Sequence, residues 1–204
     1  MKKLAVMGSG NGSNFEAIVR YFQGVDDLEI ICISDVEDSF ILKRAENLKI
    51  KNEYVPFEKN LDYFSKNKFD LVALAGYMQI LPESVLKLST FVNLHPSLLP
   101  SFKGKNAIQR SFISGVKVSG ITVHYAEKEV DSGRIIAQYP VFIESGMHLD
   151  EYEEAIHNIE HKLYPLVIAS LLNDKVFDFK TLVESSNNNS GGCSGGCGGC
   201  GGCH

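Results

Sequence analysis

The chain places an amide, an imidazole and a carboxylate where they could act on one substrate atom. Asn93 and His95 alternate within a short apolar run. Pro96 and Pro100 then bound a stiff turn, and Asp131 follows further along the chain. An amide N–H and a protonated imidazole can both donate to a developing oxyanion, and a nearby carboxylate raises the pKa of an imidazole. These residue types suit acyl transfer through a tetrahedral intermediate. A structural histidine in a proline-bounded turn is the alternative.

The sequence predicts direct transfer between two substrates, because it offers no activated nucleophile. Cys32, the only cysteine before the last dozen residues, lies in an apolar run and is predicted to be buried. Ser97 lacks the Gly-x-Ser-x-Gly context of a nucleophile elbow.

A glycine-rich loop at residues 8–14 follows a predicted strand and opens a predicted helix. Backbone N–H groups at such a helix start form an anion site. The loop lacks the third glycine of a dinucleotide fingerprint and the lysine of a P-loop, so it predicts a site for a monophosphate. The alternative is a tight turn without a ligand. Ser13 and Glu16 have the spacing of a capping box, which predicts where the helix begins.

A second loop, residues 76–82, follows an apolar strand and should lie beside the His95 turn. Its apolar side chains and exposed backbone groups suit a flat heteroaromatic ring. An ordinary connection between a strand and a helix is the alternative.

The surrounding pattern alternates strands with helices, which predicts an α/β fold: a Rossmann-like open, mostly parallel sheet with helices on both faces. An antiparallel strand pair is expected near the C-terminal half. Predicted strands cover residues 4–7, 29–34, 52–56, 71–75, 90–94, 121–126, 134–143 and 176–179. The first predicted helix begins at residue 13. The others cover residues 39–48, 61–66, 82–88, 107–114 and 149–172, and Pro165 is expected to kink the last of them.

Composition bounds the class of protein. The 204 residues are 44% hydrophobic and 22% charged, which predicts one globular domain over residues 1–184. The net charge of −5 argues against a nucleic-acid partner, and no apolar run is long enough for a membrane span. A single cysteine in the body suits a reducing compartment, so a cytoplasmic protein is expected.

Residues 185–204 contain little but Ser, Asn, Gly and Cys and are predicted to be a disordered tail. Soft ligands in this tail could hold Zn²⁺ or Cu(I), and its last five residues also match a c-type haem attachment pattern, which the expected compartment disfavours. An extension without any role in catalysis is the alternative. The possible ligands are Cys193, Cys197, Cys200, Cys203 and His204.

From residue 3 to about residue 179 the chain resembles the phosphoribosylglycinamide formyltransferase family, folate-dependent enzymes of purine synthesis. The block at residues 95–100 and the later Asp131 are shared by folate-dependent formyltransferases in general. The block at residues 10–14 resembles the ribonucleotide-binding members. Further matching motifs lie at residues 74–78, 93–94, 123–124, 132–133, 160–161 and 164–167.

The resemblance implies formyl transfer from 10-formyltetrahydrofolate, a co-substrate, to the amino group of glycinamide ribonucleotide. His95 would be the general acid, Asp131 would raise its pKa and orient it, and Asn93 would hold the formyl oxygen. No tightly bound cofactor, core metal, nucleic acid or membrane is implied, and the chain would be a monomer or a homodimer.

The resemblance also implies two groups of binding residues. Asn11, Gly12, Ser13, Asn14 and Glu160 would bind the ribonucleotide. Met78, Gln79, Ile80, Leu81 and Asn93 would contact the folate. The family commonly has arginine where this chain has Gln79, and only Lys59 is a candidate for the basic folate contact usual between residues 55 and 70.

Other functions share the same chemistry. Transfer RNA formylation is expected to need a further C-terminal domain, and formyltetrahydrofolate hydrolysis an N-terminal regulatory domain, whereas the first strand here begins at Leu4. Sugar-nucleotide formylation and a non-catalytic nucleotide- or folate-binding module remain as alternatives.

Overall fold

Seven strands and six helices follow one another in the computed structural model, which describes residues 1–178. The strands are β1 (Lys2–Met7), β2 (Leu28–Ser34), β3 (Lys51–Tyr54), β4 (Leu71–Leu74), β5 (Phe91–His95), β6 (Val118–Tyr125) and β7 (Ile135–Phe142). The helices are α1 (Ser13–Tyr21), α2 (Phe40–Asn47), α3 (Asn60–Lys66), α4 (Glu83–Leu86), α5 (Ala107–Ile113) and α6 (Leu149–Leu172). A 3₁₀ turn covers Phe57–Lys59.

All seven strands form one sheet in the order β3-β2-β1-β4-β5-β6-β7. Strands β1 to β5 pair in parallel, and β6 pairs antiparallel with both β5 and β7. The predicted α/β class, with a mostly parallel sheet and an antiparallel β6–β7 pair, is confirmed. The antiparallel pairing of β5 with β6 is an addition that the sequence pattern did not predict.

Helices cover both faces of the sheet because successive strand residues point to opposite sides. On β1, Leu4 and Val6 pack into a core that includes side chains of α1, α2 and α6. Ala5 and Met7 pack into a second core with Phe64 of α3 and with α4. Each inner strand is therefore buried on both sides, which explains its near-continuous apolar sequence.

The helix start at Ser13 is confirmed, but the predicted capping box is wrong. Gly12 precedes α1 in the left-handed region, with φ of 78°, and no side chain within residues 1–178 caps the helix. Glu16 binds Arg20 and Arg44 instead. Two charge-assisted partners outcompete the backbone N–H that a capping box would offer.

Other boundaries shift by a few residues. Pro82 lies immediately before α4 and not within it, whereas α6 has its predicted bounds and continues through Pro165. Residues 176–178 are not in a strand. Residue 179 and the predicted tail, residues 185–204 with their cysteines and terminal histidine, lie outside the described residues. No helix within residues 1–178 is long and apolar enough to cross a membrane.

Candidate active site

A crevice of about 760 Å³ opens beyond the carboxyl ends of β4 and β5, where open α/β sheets commonly bind ligands. It brings together predicted residues from five separate segments of the chain. These are Asn14, Met78, Gln79, Ile80, Leu81, Asn93, His95, Asp131 and Glu160. Asn11, Gly12 and Ser13, which were also predicted, are not among the lining residues.

Asp131 is the centre of the polar network in the crevice. Its Oδ2 lies 3.2 Å from Nδ1 of His95 and accepts the backbone N–H of Gly104 at 2.7 Å. Its Oδ1 lies 3.5 Å from Nε2 of His124 and 3.4 Å from Nδ2 of Asn93. Both carboxylate oxygens are therefore engaged, which fixes the orientation of the group.

Burial and the neighbouring groups act in opposite directions on the pKa of Asp131. Burial raises it, but contacts with His124, with the Gly104 N–H and with His95 outweigh this effect and lower the pKa. Asp131 is thus held as a carboxylate, the state that can orient an imidazole.

His95 is the last residue of β5 and only 5% exposed, so it belongs to the buried strand and not to the turn that Pro96 begins. The strand continues one residue further than the sequence suggested, because β6 pairs with it and sets Thr122 opposite His95. Nε2 of His95 lies 3.0 Å from the carbonyl oxygen of Phe102. Phe102 reaches this position in the left-handed region, with φ of 54°.

The pKa of His95 lies below its ordinary value, contrary to the predicted rise. Burial is the largest effect and lowers the pKa. Asp131 and the Phe102 carbonyl both favour the imidazolium and raise the pKa, but they do not compensate for burial. Asp131 therefore raises the pKa of His95 as predicted, but the effect of burial is larger.

His124 is a site residue to which the sequence assigned no role. The β5–β6 register sets it directly opposite Asn93. Its Nδ1 lies 2.8 Å from the carbonyl oxygen of Tyr125, and its Nε2 lies 3.2 Å from Nδ2 of Asn93. The carbonyl can only accept, so Nδ1 carries a proton. With the proton on Nδ1, Nε2 of His124 can accept from the Asn93 amide, whose Nδ2 faces both His124 and Asp131.

A second polar group in the crevice centres on Glu160, which is only 4% exposed. Its Oε2 accepts Nδ2 of Asn14 at 3.1 Å and lies 2.9 Å from Nδ1 of His157. The hydrogen bond to Glu160 is the main cause that raises the pKa of His157. Oδ1 of Asn14 is buried without a hydrogen-bond partner in the described part of the chain, which leaves an acceptor available to a ligand. His157 lines the crevice and was not predicted.

The loop of residues 76–82 also lines the crevice, beside the His95 segment as predicted. Met78 and Ile80 are 62% and 66% exposed, and Leu81 is buried. The backbone N–H of Met78 donates to Oγ of Ser9 at 2.9 Å, so this loop is joined to the first loop. Exposed apolar side chains beside a crevice suit an aromatic ligand. Lys59 is not among the crevice residues.

Neither candidate nucleophile is suited to covalent catalysis. Burial raises the pKa of the Cys32 thiol to about 12. Ser97 is fully buried, and its hydroxyl donates to the carbonyl of Ser101 at 2.5 Å. Within residues 1–178, no three His, Cys, Asp or Glu side chains are grouped to hold a metal ion.

One buried side chain fixes the Glu160 part of the crevice relative to the strands. The hydroxyl of Tyr164 lies 3.0 Å from both the Leu74 and the Val92 carbonyl oxygens. Tyr164 lies one helical turn after Glu160 on α6, so this contact sets where Glu160 stands relative to β4 and β5.

Comparison with known proteins gives a consistent result. The model of the formyl transferase family matches residues 2–168. A phosphoribosylglycinamide formyltransferase of Bacillus subtilis is 39% identical over 186 residues, which is 84% of this chain and 95% of that protein. One from Haemophilus influenzae is 37% identical and covers 82% of this chain and 86% of its own length.

Solved structures agree with these sequences. The crystal structure of the phosphoribosylglycinamide formyltransferase from Bacillus halodurans has a TM-score of 0.78 and 32% identity, and covers 84% of this chain and 95% of its own. The structure of the enzyme of the same name from Streptococcus pneumoniae has a TM-score of 0.76 and 35% identity, and the match covers 84% of this chain and 99% of that chain.

Proposed function

The chain belongs to the formyl transferase family, and we propose that it transfers a formyl group from 10-formyltetrahydrofolate to the amino group of glycinamide ribonucleotide in purine biosynthesis. The observation that carries this proposal is the His95–Asp131 pair at the base of one crevice. The same crevice is lined by Asn14 and Glu160, which we call the ribonucleotide wall, and by the loop of residues 76–82, which we call the pterin wall.

The reaction proceeds by direct attack. The ribonucleotide amine forms a bond to the formyl carbon, and the formyl oxygen becomes an oxyanion. His95 stabilises this oxyanion by donating to it from Nε2, and Asp131 holds the ring through Nδ1. The bond to the folate nitrogen then breaks as the carbonyl re-forms, and the proton lost by the amine passes to that nitrogen. Donation from Nε2 while Nδ1 is bound to Asp131 requires the imidazolium, the form that the Asp131 carboxylate favours.

The Phe102 carbonyl occupies the position on His95 that the oxyanion needs, 3.0 Å from Nε2. The formyl oxygen therefore takes the place of this carbonyl when the substrates bind. Both are oxygen acceptors, so the imidazole exchanges one hydrogen bond for another.

Asn93 is assigned to the formyl oxygen as well. Its N–H groups face His124 and Asp131, so one of them must turn toward the substrate. His124, placed opposite Asn93 across the strand pair, keeps the amide close to the reacting carbon.

The two substrates bind on the two walls. Asn11, Gly12, Ser13 and Asn14 form the phosphate site at the start of α1, and Glu160 with His157 faces the ribose hydroxyls. Backbone groups of residues 78–81 bind the pterin, and the exposed side chains of Met78 and Ile80 cover its ring. Gln79 contributes no charge to this wall.

The proposed catalytic unit comprises residues 1–184, and residues 185–204 are proposed to take no part in catalysis. Both partners are small molecules and no nucleic acid takes part. The proposed compartment is the cytoplasm, where Cys32 remains a buried thiol. The proposed state is a monomer or a homodimer.

Purified protein incubated with labelled 10-formyltetrahydrofolate tests this proposal. Labelled formylglycinamide ribonucleotide should form only when glycinamide ribonucleotide is present. Formate released equally with and without the ribonucleotide would instead indicate a hydrolase. Labelling of an amino-sugar nucleotide but not of the ribonucleotide would assign another acceptor, and binding without any product would indicate a non-catalytic module. Each of these three outcomes contradicts the proposal.

A further inference from the structure

An arginine outside the crevice holds the first loop of the site. Arg44 of α2 donates from Nε to the carbonyl oxygen of Asn11 at 2.7 Å, and from Nη2 to Oδ1 of the same residue at 3.0 Å. Its remaining nitrogen, Nη1, pairs with Oε2 of Glu16 in the first turn of α1. One guanidinium therefore binds the chain on both sides of the left-handed Gly12.

The backbone of α2 supports the same loop. The N–H of Ile41 donates to the carbonyl oxygen of Gly10 at 3.0 Å. A Cβ added to Gly12 would lie 2.7 Å from Cγ1 of Ile41 and 2.8 Å from its Cα. The turn at Gly12 is thus pressed against α2, and the first N–H groups of α1 have little freedom to change direction.

We propose that Arg44 is a positioning residue for the ribonucleotide: by joining Asn11 to Glu16 across Gly12, it sets the direction of the N–H groups that bind the phosphate. This inference rests on the proposed function of the loop. All three guanidinium nitrogens of Arg44 are already bonded to Asn11 and Glu16, so it acts through the loop and not by contact with the ligand. A planar fork with several fixed donors can serve three acceptors at once, whereas a lysine ammonium on a flexible stem cannot hold the same geometry.

The chain provides a matched control. Arg20 also binds Glu16, through Nε at 3.0 Å and Nη2 at 2.7 Å. Its side chain is 67% exposed, and among the contacts of residues 1–178 it has none with Asn11. Arg20→Ala therefore removes an arginine from the same carboxylate without releasing the loop.

Steady-state kinetics of Arg44→Ala, Arg44→Lys and Arg20→Ala test the proposal. Loss of two charge-assisted hydrogen bonds to the loop should raise KM for glycinamide ribonucleotide by about tenfold or more in Arg44→Ala. Both kcat and KM for 10-formyltetrahydrofolate should change less than about twofold, since the pterin wall is untouched. Arg44→Lys should resemble Arg44→Ala, and Arg20→Ala should resemble the wild type. A Lys variant with wild-type KM would show that charge alone suffices and would overturn the proposal.

Amide hydrogen exchange tests the positioning role of Arg44 without relying on the proposed formyl transfer. The amides of Glu16 and Ile41, bonded to the carbonyls of Gly12 and Gly10, should exchange about tenfold faster in Arg44→Ala and unchanged in Arg20→Ala. If the wild type makes no formylated ribonucleotide, the proposed function fails, and exchange still decides whether Arg44 holds the loop. Unchanged exchange at both amides in Arg44→Ala would overturn the positioning role.

Discussion

Nδ1 of His95 lies 3.2 Å from Oδ2 of Asp131, although one residue ends a strand and the other lies in the loop between β6 and β7. The contact exists because β6 pairs antiparallel with β5 and the chain then turns back into β7. Asp131 adopts a positive φ of 51° in this loop. The central pair of the site therefore depends on the antiparallel end of the sheet.

His95→Ala should abolish formyl transfer and leave the fold intact. Removal of one preorganised donor to an oxyanion typically costs about a hundredfold or more. Turnover with saturating substrates measures the loss. A cooperative thermal unfolding transition and an unchanged circular dichroism spectrum control for folding. Near wild-type turnover in a folded variant would show that the assigned role is wrong.

Asp131→Asn should lower kcat/KM by roughly a hundredfold and move the His95 limb of the pH profile to lower pH. The sign follows from the two effects on His95. Burial lowers its pKa and the carboxylate raises it, so a neutral amide at residue 131 leaves only the Phe102 carbonyl to oppose burial. Asn also tolerates the positive φ at this position, which keeps the loop in place. A profile that does not move would mean that Asp131 is only a turn residue.

The sequence predicted the reactive groups better than their surroundings. Asn93, His95 and Asp131 were found from residue type and spacing, because their chemistry is independent of the neighbouring strand. The burial of His95 and the presence of His124 depend on the β5–β6 register. The alternating pattern predicted β6 as a strand but did not identify its neighbour on the β5 side.

The helix start shows a similar limit. Ser13 and Glu16 have the local pattern of a capping box, and the helix does begin at Ser13. Glu16 is nevertheless captured by Arg44, which lies in a different helix. Four consecutive residues cannot reveal competition from an arginine that is distant in the sequence. The role of Gly12 at the helix start is a local feature and could have been predicted.

Ser13→Ala and Asn14→Ala should raise KM for glycinamide ribonucleotide much more than KM for 10-formyltetrahydrofolate. Asn14 lines the crevice in the proposed ribonucleotide wall, and neither residue belongs to the loop of residues 76–82. Since the Ser13 side chain does not cap α1, its loss should change the free energy of unfolding by less than about 0.5 kcal/mol. Equal effects on both Michaelis constants would indicate a folding defect and not a lost contact.

His157→Asn should destabilise the protein more at pH 5.5 than at pH 9. The contact with Glu160 raises the pKa of His157 in the folded state. Its contribution is therefore complete below the unfolded pKa, about 6.5, and disappears as the pH rises through the folded value. Urea unfolding at both pH values measures the difference. In a Glu160→Gln background the pH dependence should vanish, and its persistence there would assign the effect to another group.

Deletion of residues 185–204 should leave formyl transfer unchanged and remove any Zn²⁺ bound by the protein. Among the described residues 1–178, those that line the crevice fall between residues 14 and 160, whereas the four clustered cysteines lie at residues 193–203. Kinetics and metal analysis of the full and shortened chains provide the measurement. A large loss of turnover with the fold preserved would place the tail in the catalytic unit.

The Tyr164 hydroxyl, shared between the Leu74 and Val92 carbonyls, limits how this enzyme could be lengthened, by evolution or by design. One residue inserted between Glu160 and Tyr164 would turn Glu160 by about 100° around the helix axis. The carboxylate would then leave the ribonucleotide wall while the helix stayed anchored to the sheet. Insertions should be accepted beyond the end of α6 and rejected within this single turn.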